Sequence, residues 1–116
     1  MRTTQRGHQA EEAVAKQMKN LGYEILSQNW RTPRCEIDIV ARKDKIIYFV
    51  EVKFRLQSAQ GDGLEHITKR KLSQMEFAGR IWNQHNNWNG DWRLAAISVT
   101  TNNVQEYLLG DLVELE

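Results

Sequence analysis

Between Gly7 and Leu21 the apolar residues Ala10, Ala13, Val14, Met18 and Leu21 recur in steps of three and four, which puts them on one face of a helix. Gly22 follows where a helix C-terminal cap is expected. Tyr23 to Trp30 contains Ile25 and Leu26 and predicts a first strand of imperfect alternation, while Asn29 to Arg34, with Pro33 among polar residues, predicts a loop. Glu36 to Ala41 alternates sharply, with Ile37, Ile39 and Ala41 on one side and Glu36, Asp38 and Val40 on the other. A turn is expected at Arg42-Lys43-Asp44-Lys45. Beyond it, Ile46 to Phe54 is rich in β-branched and aromatic residues, as befits a central strand. These two segments predict a hairpin.

Gln57 to Gly63 holds two glycines and predicts a loop. Helical spacing returns from Leu64 to about Trp82, through Ile67, Met75 and Ala78. Asn83 to Asp91 is polar and asparagine-rich, hence a loop, and Trp92 to Thr100 and Val104 to Leu109 predict two strands around Thr101-Asn102-Asn103. The expected order is α-β-β-β-α-β-β, an α/β fold with helices around a short mixed sheet.

A chain of 116 residues has room for one domain, spanning 1–116. Hydrophobic residues at 41% can bury an ordinary core, which argues against disorder. Sixteen Lys and Arg against fifteen Asp and Glu create no global field for a polyanion, so any basic surface must come from local clustering. The lone Cys35 excludes an internal disulfide and a cysteine-based zinc cage. Met1 to Glu12 is polar without a signal-peptide core, and the longest apolar run, Ile46 to Val50, is far too short to span a bilayer. A cytoplasmic protein without membrane association is expected.

The segments that suggest chemistry are Glu36-Ile-Asp38 on one strand and Glu51-Val-Lys53 on the next. Glu36 and Asp38 share a face, as do Glu51 and Lys53, and a connecting turn of even length brings both pairs to the same side. Carboxylates converging at the end of a buried strand pair repel unless a cation neutralises them. A hard ion such as Mg²⁺ suits oxygen donors and keeps several waters. Asp38 and Glu51 would hold it, with the main-chain carbonyl of Val52 as a third ligand. Lys53 would orient or help deprotonate a water and steady charge on a phosphate, and the ion would polarise the phosphoryl oxygen. Phosphodiester hydrolysis is the chemistry so assembled. Mutual salt bridging of the carboxylates with Lys53 is the competing, purely structural explanation.

Several other residues bear on this site. Lys71, four residues from both Ile67 and Met75, lies on the helix stripe facing the sheet; it either reaches a phosphate or snorkels past the helix edge. Arg31 and Arg34 flank the loop into the Asp38 strand, and Arg55 follows Lys53. With Lys69 and Arg70 they are placed to line a groove for a phosphate backbone, although each alone reads as surface charge. Trp82 and Trp92 fit packing roles, which leaves Trp88 as the candidate for exposure and for stacking on an unpaired base. His8, His66 and His85 lack ligand spacing and are expected on the surface, and Cys35 is expected to pack beside a strand.

Taken together, these residues resemble the PD-(D/E)xK nuclease superfamily and, more closely, the YraN-type family of bacterial proteins related to archaeal Holliday-junction resolvases. The matching blocks are Glu36-Ile-Asp-Ile-Val-Ala41, Phe49-Val-Glu-Val-Lys53 and Arg55. Gly7, Ala10-Glu11, Gly22-Tyr-Glu-Ile-Leu26 and Asn29 fit upstream, and Lys71 and Ala78 downstream, so the likeness covers residues 7 to 82. The resemblance implies a restriction-endonuclease-like core with Asp38, Glu51 and Lys53 in the catalytic positions and Glu11 as the acidic residue of the first helix. It also implies Glu36 as support for the metal shell, Mg²⁺ or Mn²⁺ as cofactor, and branched or structured DNA as substrate. A junction resolvase needs two active sites, which favours a homodimer. Three positions depart from the family pattern: Cys35 and Ala10 stand where glycines are usual, and Leu94-Ala95-Ala96 replaces an aspartate-containing strand. The rival expectation is a non-catalytic module that keeps the fold and binds nucleic acid or a protein partner.

Overall fold

The computed structural model describes residues 5–56, 67–101 and 107–115, with side chains over 9–54, 67–100 and 109–115. The elements run α1 (Gln5–Asn20), β1 (Glu24–Thr32), β2 (Cys35–Lys43), β3 (Ile46–Leu56), α2 (Lys69–His85), β4 (Asp91–Thr101), β5 (Tyr107–Leu109) and β6 (Val113–Leu115). The expected α/β fold is present. Strands β1, β2 and β3 form an antiparallel meander, α2 crosses over to β4 parallel to β3, and β5 and β6 both pair antiparallel with β4. Strand β6 is an addition to the expected order. Among the described residues no helix is long and apolar enough to cross a membrane.

One helix covers each face of the sheet. Ala10, Val14, Ala15 and Met18 of α1 pack on Ile39, Ala41, Val50, Ala95, Ile97 and Val99. On the opposite face, Ala78 and Trp82 of α2 pack on Val40, Ile47 and Phe49. Small residues let α2 approach closely: a side-chain carbon at Gly79 would stand 2.9 Å from the Phe49 ring and 3.2 Å from Trp92. That close seating fixes the rotation of α2, and with it the direction of its polar residues.

The end of α1 follows the expected signal. Gly22 adopts φ +97, a conformation favouring glycine. The Tyr23 N–H donates to the Met18 carbonyl and the Gly22 N–H to the Lys19 carbonyl, a Schellman closure. Leu21 lies past the helix and is exposed, and Ala13 is half-buried, whereas Ala15 is buried beside Val14.

Three other boundaries differ from expectation. Strand β1 continues through Arg31 and Thr32 instead of entering a loop at Asn29. Its imperfect alternation comes from a bulge between Ile25 and Ser27, and Asn29 at φ 53 adds a kink that Asn tolerates. The turn shrinks to Pro33 and Arg34 because Thr32 Oγ1 accepts from the N–H groups of Arg34 (3.1 Å) and Cys35 (3.2 Å). The β2–β3 turn likewise contracts to Asp44 and Lys45, with Asp44 at φ 58, leaving Arg42 and Lys43 in the strand. Helix α2 starts at Lys69, since Thr68 caps it by accepting from the Lys71 N–H, and it runs on to His85. The Leu64 start and the 57–63 loop lie outside the described residues, as does most of the turn expected at 101–103.

Candidate metal and phosphate site at the open end of the β2–β3 pair

The antiparallel ladder between β2 and β3 runs from Lys43↔Ile46 to Ile39↔Val50 and stops there. Beyond it β2 pairs only with β1. Ile37 joins the α2-side cluster while Ile39 and Ala41 face α1, so the one-sided alternation expected for these three residues breaks at Asp38. The strand turns as it leaves its β3 neighbour. One register step past the last pair, Asp38 and Glu51 stand across from each other.

With the ladder ended, the next β3 amide pointing toward β2 needs another acceptor. Asp38 Oδ2 supplies it, accepting from the Val52 N–H at 2.8 Å. A residue's N–H and C=O leave the same strand edge, so the Val52 carbonyl also faces this opening. Between the strands lies a crevice of about 10 Å³, lined by Glu36, Asp38, Glu51 and Met75 among others. That is close to the space one water-sized sphere occupies.

The electrostatics mark Asp38 as the strained member. Burial, above all, and then the negative charge of Glu51 push its pKa up from 3.8 to about 7; Glu11 adds to the rise, while the Val52 hydrogen bond and Lys71 oppose it. Glu51 is better compensated. Its Oε2 lies 3.3 Å from Lys71 Nζ and 3.9 Å from Lys53 Nζ. Lys71 is partly exposed and its ammonium is turned to Glu51.

Glu11 is 7% exposed on the α1 stripe itself. It precedes Val14 by three residues and Met18 by seven, a spacing that carries the signal for burial. Among the described residues no three His, Cys, Asp or Glu side chains gather into a metal-holding group. Asp38 and Glu51 are the carboxylates that line the crevice together, with Glu36 at its edge. Glu36 is exposed and pairs with Arg31 at 3.8 Å.

The basic residues separate into distinct roles. Arg34, Arg70 and Lys71 line a groove of about 480 Å³ that shares Glu36 and Met75 with the crevice. Arg31 is turned to Glu36, Lys69 is exposed outside the groove lining, and the Arg55 side chain lies outside the described residues. Trp82 is buried and Trp92 half-buried, as packing roles require. Trp88 corrects the expectation of an open stacking platform: it is half-buried, its indole N–H donates to the Asp91 carbonyl, and Arg42 lies over its ring. Cys35 packs with its Sγ 3.4 Å from Thr32 Oγ1. His85 is exposed, whereas the His8 and His66 side chains are outside the described set.

Sequence reasoning missed Phe77. It lines the groove, 36% exposed, with the Arg34 guanidinium 5.3 Å from its ring centroid. The signal was the spacing of Arg70, Gln74 and Phe77, a helical face beside the buried stripe of Met75, Ala78 and Trp82.

The pattern of the uncharacterised protein family UPF0102 matches residues 10–99, from α1 through most of β4. The chain belongs to this family. It is the YraN-type family that the motif blocks resemble, and the matched span holds Glu11, Asp38, Glu51, Lys53 and Lys71. A family member from Sulfurihydrogenibium sp. (strain YO3AOP1) is 34% identical over 105 residues, covering 90% of this chain and 91% of the relative. A second, from Thermotoga petrophila, is 38% identical over 99 residues, covering 85% and 90%. A third, from Cytophaga hutchinsonii, is 27% identical over 109 residues, covering 94% and 96%.

Proposed function

We propose that this protein is a metal-dependent nuclease that hydrolyses phosphodiester bonds in branched or otherwise structured DNA. The observation that carries the reading is the crevice that Asp38 and Glu51 line together just past the end of the β2–β3 ladder. Asp38 is half-buried there, and desolvation and the charge of Glu51 push its pKa up to about 7. Such a site gains from a cation. The donor set fits a hard divalent ion: two carboxylates, the Val52 carbonyl, and a crevice with water-sized space. Mg²⁺ or Mn²⁺ bound there would supply Lewis-acid polarisation of a phosphoryl oxygen and a water of lowered pKa.

The chain's own residues supply the rest. Lys53 and Lys71 approach Glu51 from β3 and α2, so two ammonium groups border the place where phosphate charge would build up. Lys53 serves to orient the attacking water, while Lys71 steadies the phosphate. Water adds across one P–O bond, leaving a phosphate monoester on one fragment and a hydroxyl on the other. Two copies acting together would cut both strands of a junction.

One observation favours the rival reading, a binding module that does not cut. Both lysines lie near the same Glu51 oxygen, which already compensates that charge without an ion. Calorimetry with Mn²⁺ on wild type and Asp38→Asn separates the two, followed by cleavage assays on duplex, single-stranded and four-way DNA. The nuclease reading expects Mn²⁺ binding and cleavage in the wild type, with both lost in the variant. Salt-dependent DNA binding that persists in Asp38→Asn, with no Mn²⁺ response and no cleavage in either protein, establishes the rival.

A further inference from the structure

Among the described residues, the groove beside α2 gathers three cationic side chains, Arg34, Arg70 and Lys71, with Glu36 as the one carboxylate in its lining. Among the described residues neither Arg34 nor Arg70 has a carboxylate within salt-bridge distance. Both line the same hollow, with Lys71 at the side nearest Glu51. Two guanidinium groups lining one hollow suit phosphate oxygens, which they can engage through planar, paired hydrogen bonds.

Phe77 adds a different chemistry. With the Arg34 guanidinium over its ring, it separates this groove from a second hollow of about 260 Å³, lined by Pro33, Ile81 and His85 among others. Phe77 belongs to neither buried cluster, so its exposure is not a by-product of packing the sheet. An aromatic ring with a stacked guanidinium offers flat surfaces of the kind on which unstacked bases settle. A base inside a duplex has both faces covered by its neighbours and cannot enter such a recess. The groove's volume, about 480 Å³, falls in the range of about 300–1,000 Å³ typical of pockets for single small molecules. Ser73 and Gln74 on its wall offer hydrogen-bonding groups.

We infer that this groove holds an unpaired nucleotide of a single-stranded DNA segment, with its phosphate on Arg34 and Arg70 and its base against the Phe77–Arg34 pair. The inference rests on the nuclease reading and narrows it. Because the groove shares Glu36 and Met75 with the crevice at Asp38 and Glu51, the bound nucleotide lies next to the phosphodiester to be cut. Preferred substrates are then flaps, gaps and open branch points rather than continuous duplex.

The test is fluorescence anisotropy in EDTA with a labelled oligodeoxythymidylate and a blunt duplex of equal length, alongside Mn²⁺-dependent cleavage of flapped and duplex DNA. Wild type is expected to bind the single strand more tightly. Phe77→Leu keeps apolar volume without the ring and should weaken that binding roughly tenfold while leaving duplex affinity unchanged. Phe77→Trp should restore it. Arg34→Gln should weaken the single-strand complex and reduce its log–log salt slope by about 0.7. Equal affinity for both probes, or single-strand binding indifferent to Phe77→Leu, overturns the inference, and cleavage by an intact Asp38 and Glu51 would then leave the nuclease reading standing. Conversely, single-strand binding that depends on Phe77, with no cleavage of any DNA, supports the groove and overturns the nuclease reading.

Discussion

Around Asp44, at the turn end of the β2–β3 pair, cations lie against aromatic faces. Arg42 sits 5.2 Å from the Trp88 ring centroid, Lys43 4.9 Å from Tyr23 and, on α2, Arg80 5.7 Å from Trp92. Phe49 fills the middle, edge-on to Trp82 at 5.7 Å and to Trp92 at 5.6 Å. At the other end, around Asp38, the ladder has stopped and carboxylates and lysines occupy the opening. The same two strands support both arrangements. Where the ladder is complete, neighbouring strands satisfy the backbone, and side chains are free to pack for area and ring geometry. Where it ends, an amide is released and a carboxylate takes it up, which brings charge into a buried place. The chemical character of the site thus follows from the position at which two strands part.

The sharpest way to break this contrast is to empty the packed end. Phe49 is 1% exposed and touches the helix through Gly79. Phe49→Ala should destabilise the fold by about 3–5 kcal/mol, read from urea unfolding. It also removes the surface that seats α2, so Lys71 should lose its hold on Glu51 and Mn²⁺ affinity should fall with stability. Unchanged Mn²⁺ affinity in a folded Phe49→Ala protein would show that the two ends are independent.

The open end should respond in the opposite sense. Asp38 has a pKa of about 7 in the fold against 3.8 ordinarily. Between those values the folded chain holds a proton that the unfolded chain has released, so stability falls as pH rises from about 4 to 7 and the full cost persists above 7. That cost amounts to roughly 4 kcal/mol at most. In EDTA at pH 8, Asp38→Asn should therefore be more stable than wild type by up to about 4 kcal/mol, with a flatter stability profile across that range. Adding Mn²⁺ should narrow the difference by stabilising only the wild type. Thermal melts across pH test all three statements, and a less stable Asp38→Asn at pH 8 would remove the electrostatic argument for a cation.

Part of this contrast was legible in the sequence. The alternation of Glu36 to Ala41 and the β-branched run from Ile46 made the hairpin plain, and an even turn put Asp38 and Glu51 on the same side of the sheet; the register itself needed the shorter turn at Asp44 and Lys45. Helix spacing put Lys71 on the right face. Less accessible were features that depend on how elements meet. Ile37 changes sides because β2 leaves β3 there, and no local pattern encodes that departure. The spacing of Glu11 from Val14 and Met18 places it on the buried stripe, but its burial also needs α1 to be rotated with Ala10, Val14 and Met18 on the sheet, a tertiary choice that overrides the usual solvation of a helix carboxylate. Thr32 carried β1 further than its polar residues suggested, since one hydroxyl satisfied two turn amides. The three-residue β6 is too short for periodicity to register.

The smallest expected effect separates the two ends of α2 itself. At its start, Thr68 Oγ1 accepts from the Lys71 N–H at 3.1 Å; at its finish, Asn86 Nδ2 donates to the Trp82 carbonyl at 2.9 Å. Thr68→Ala should cost about 1 kcal/mol of stability, the usual worth of an N-terminal cap. The loss should be local as well as global, because the first turn carries Arg70 and Lys71. Amide hydrogen exchange should quicken at Lys71 and Leu72 while remaining slow near Trp82, and DNA affinity should drop with it. Asn86→Ala offers the control, since it loosens the aromatic end and leaves the groove side of the helix in place. If both substitutions weaken DNA binding equally, α2 acts as one rigid body and its capped first turn has no separate part in positioning the groove.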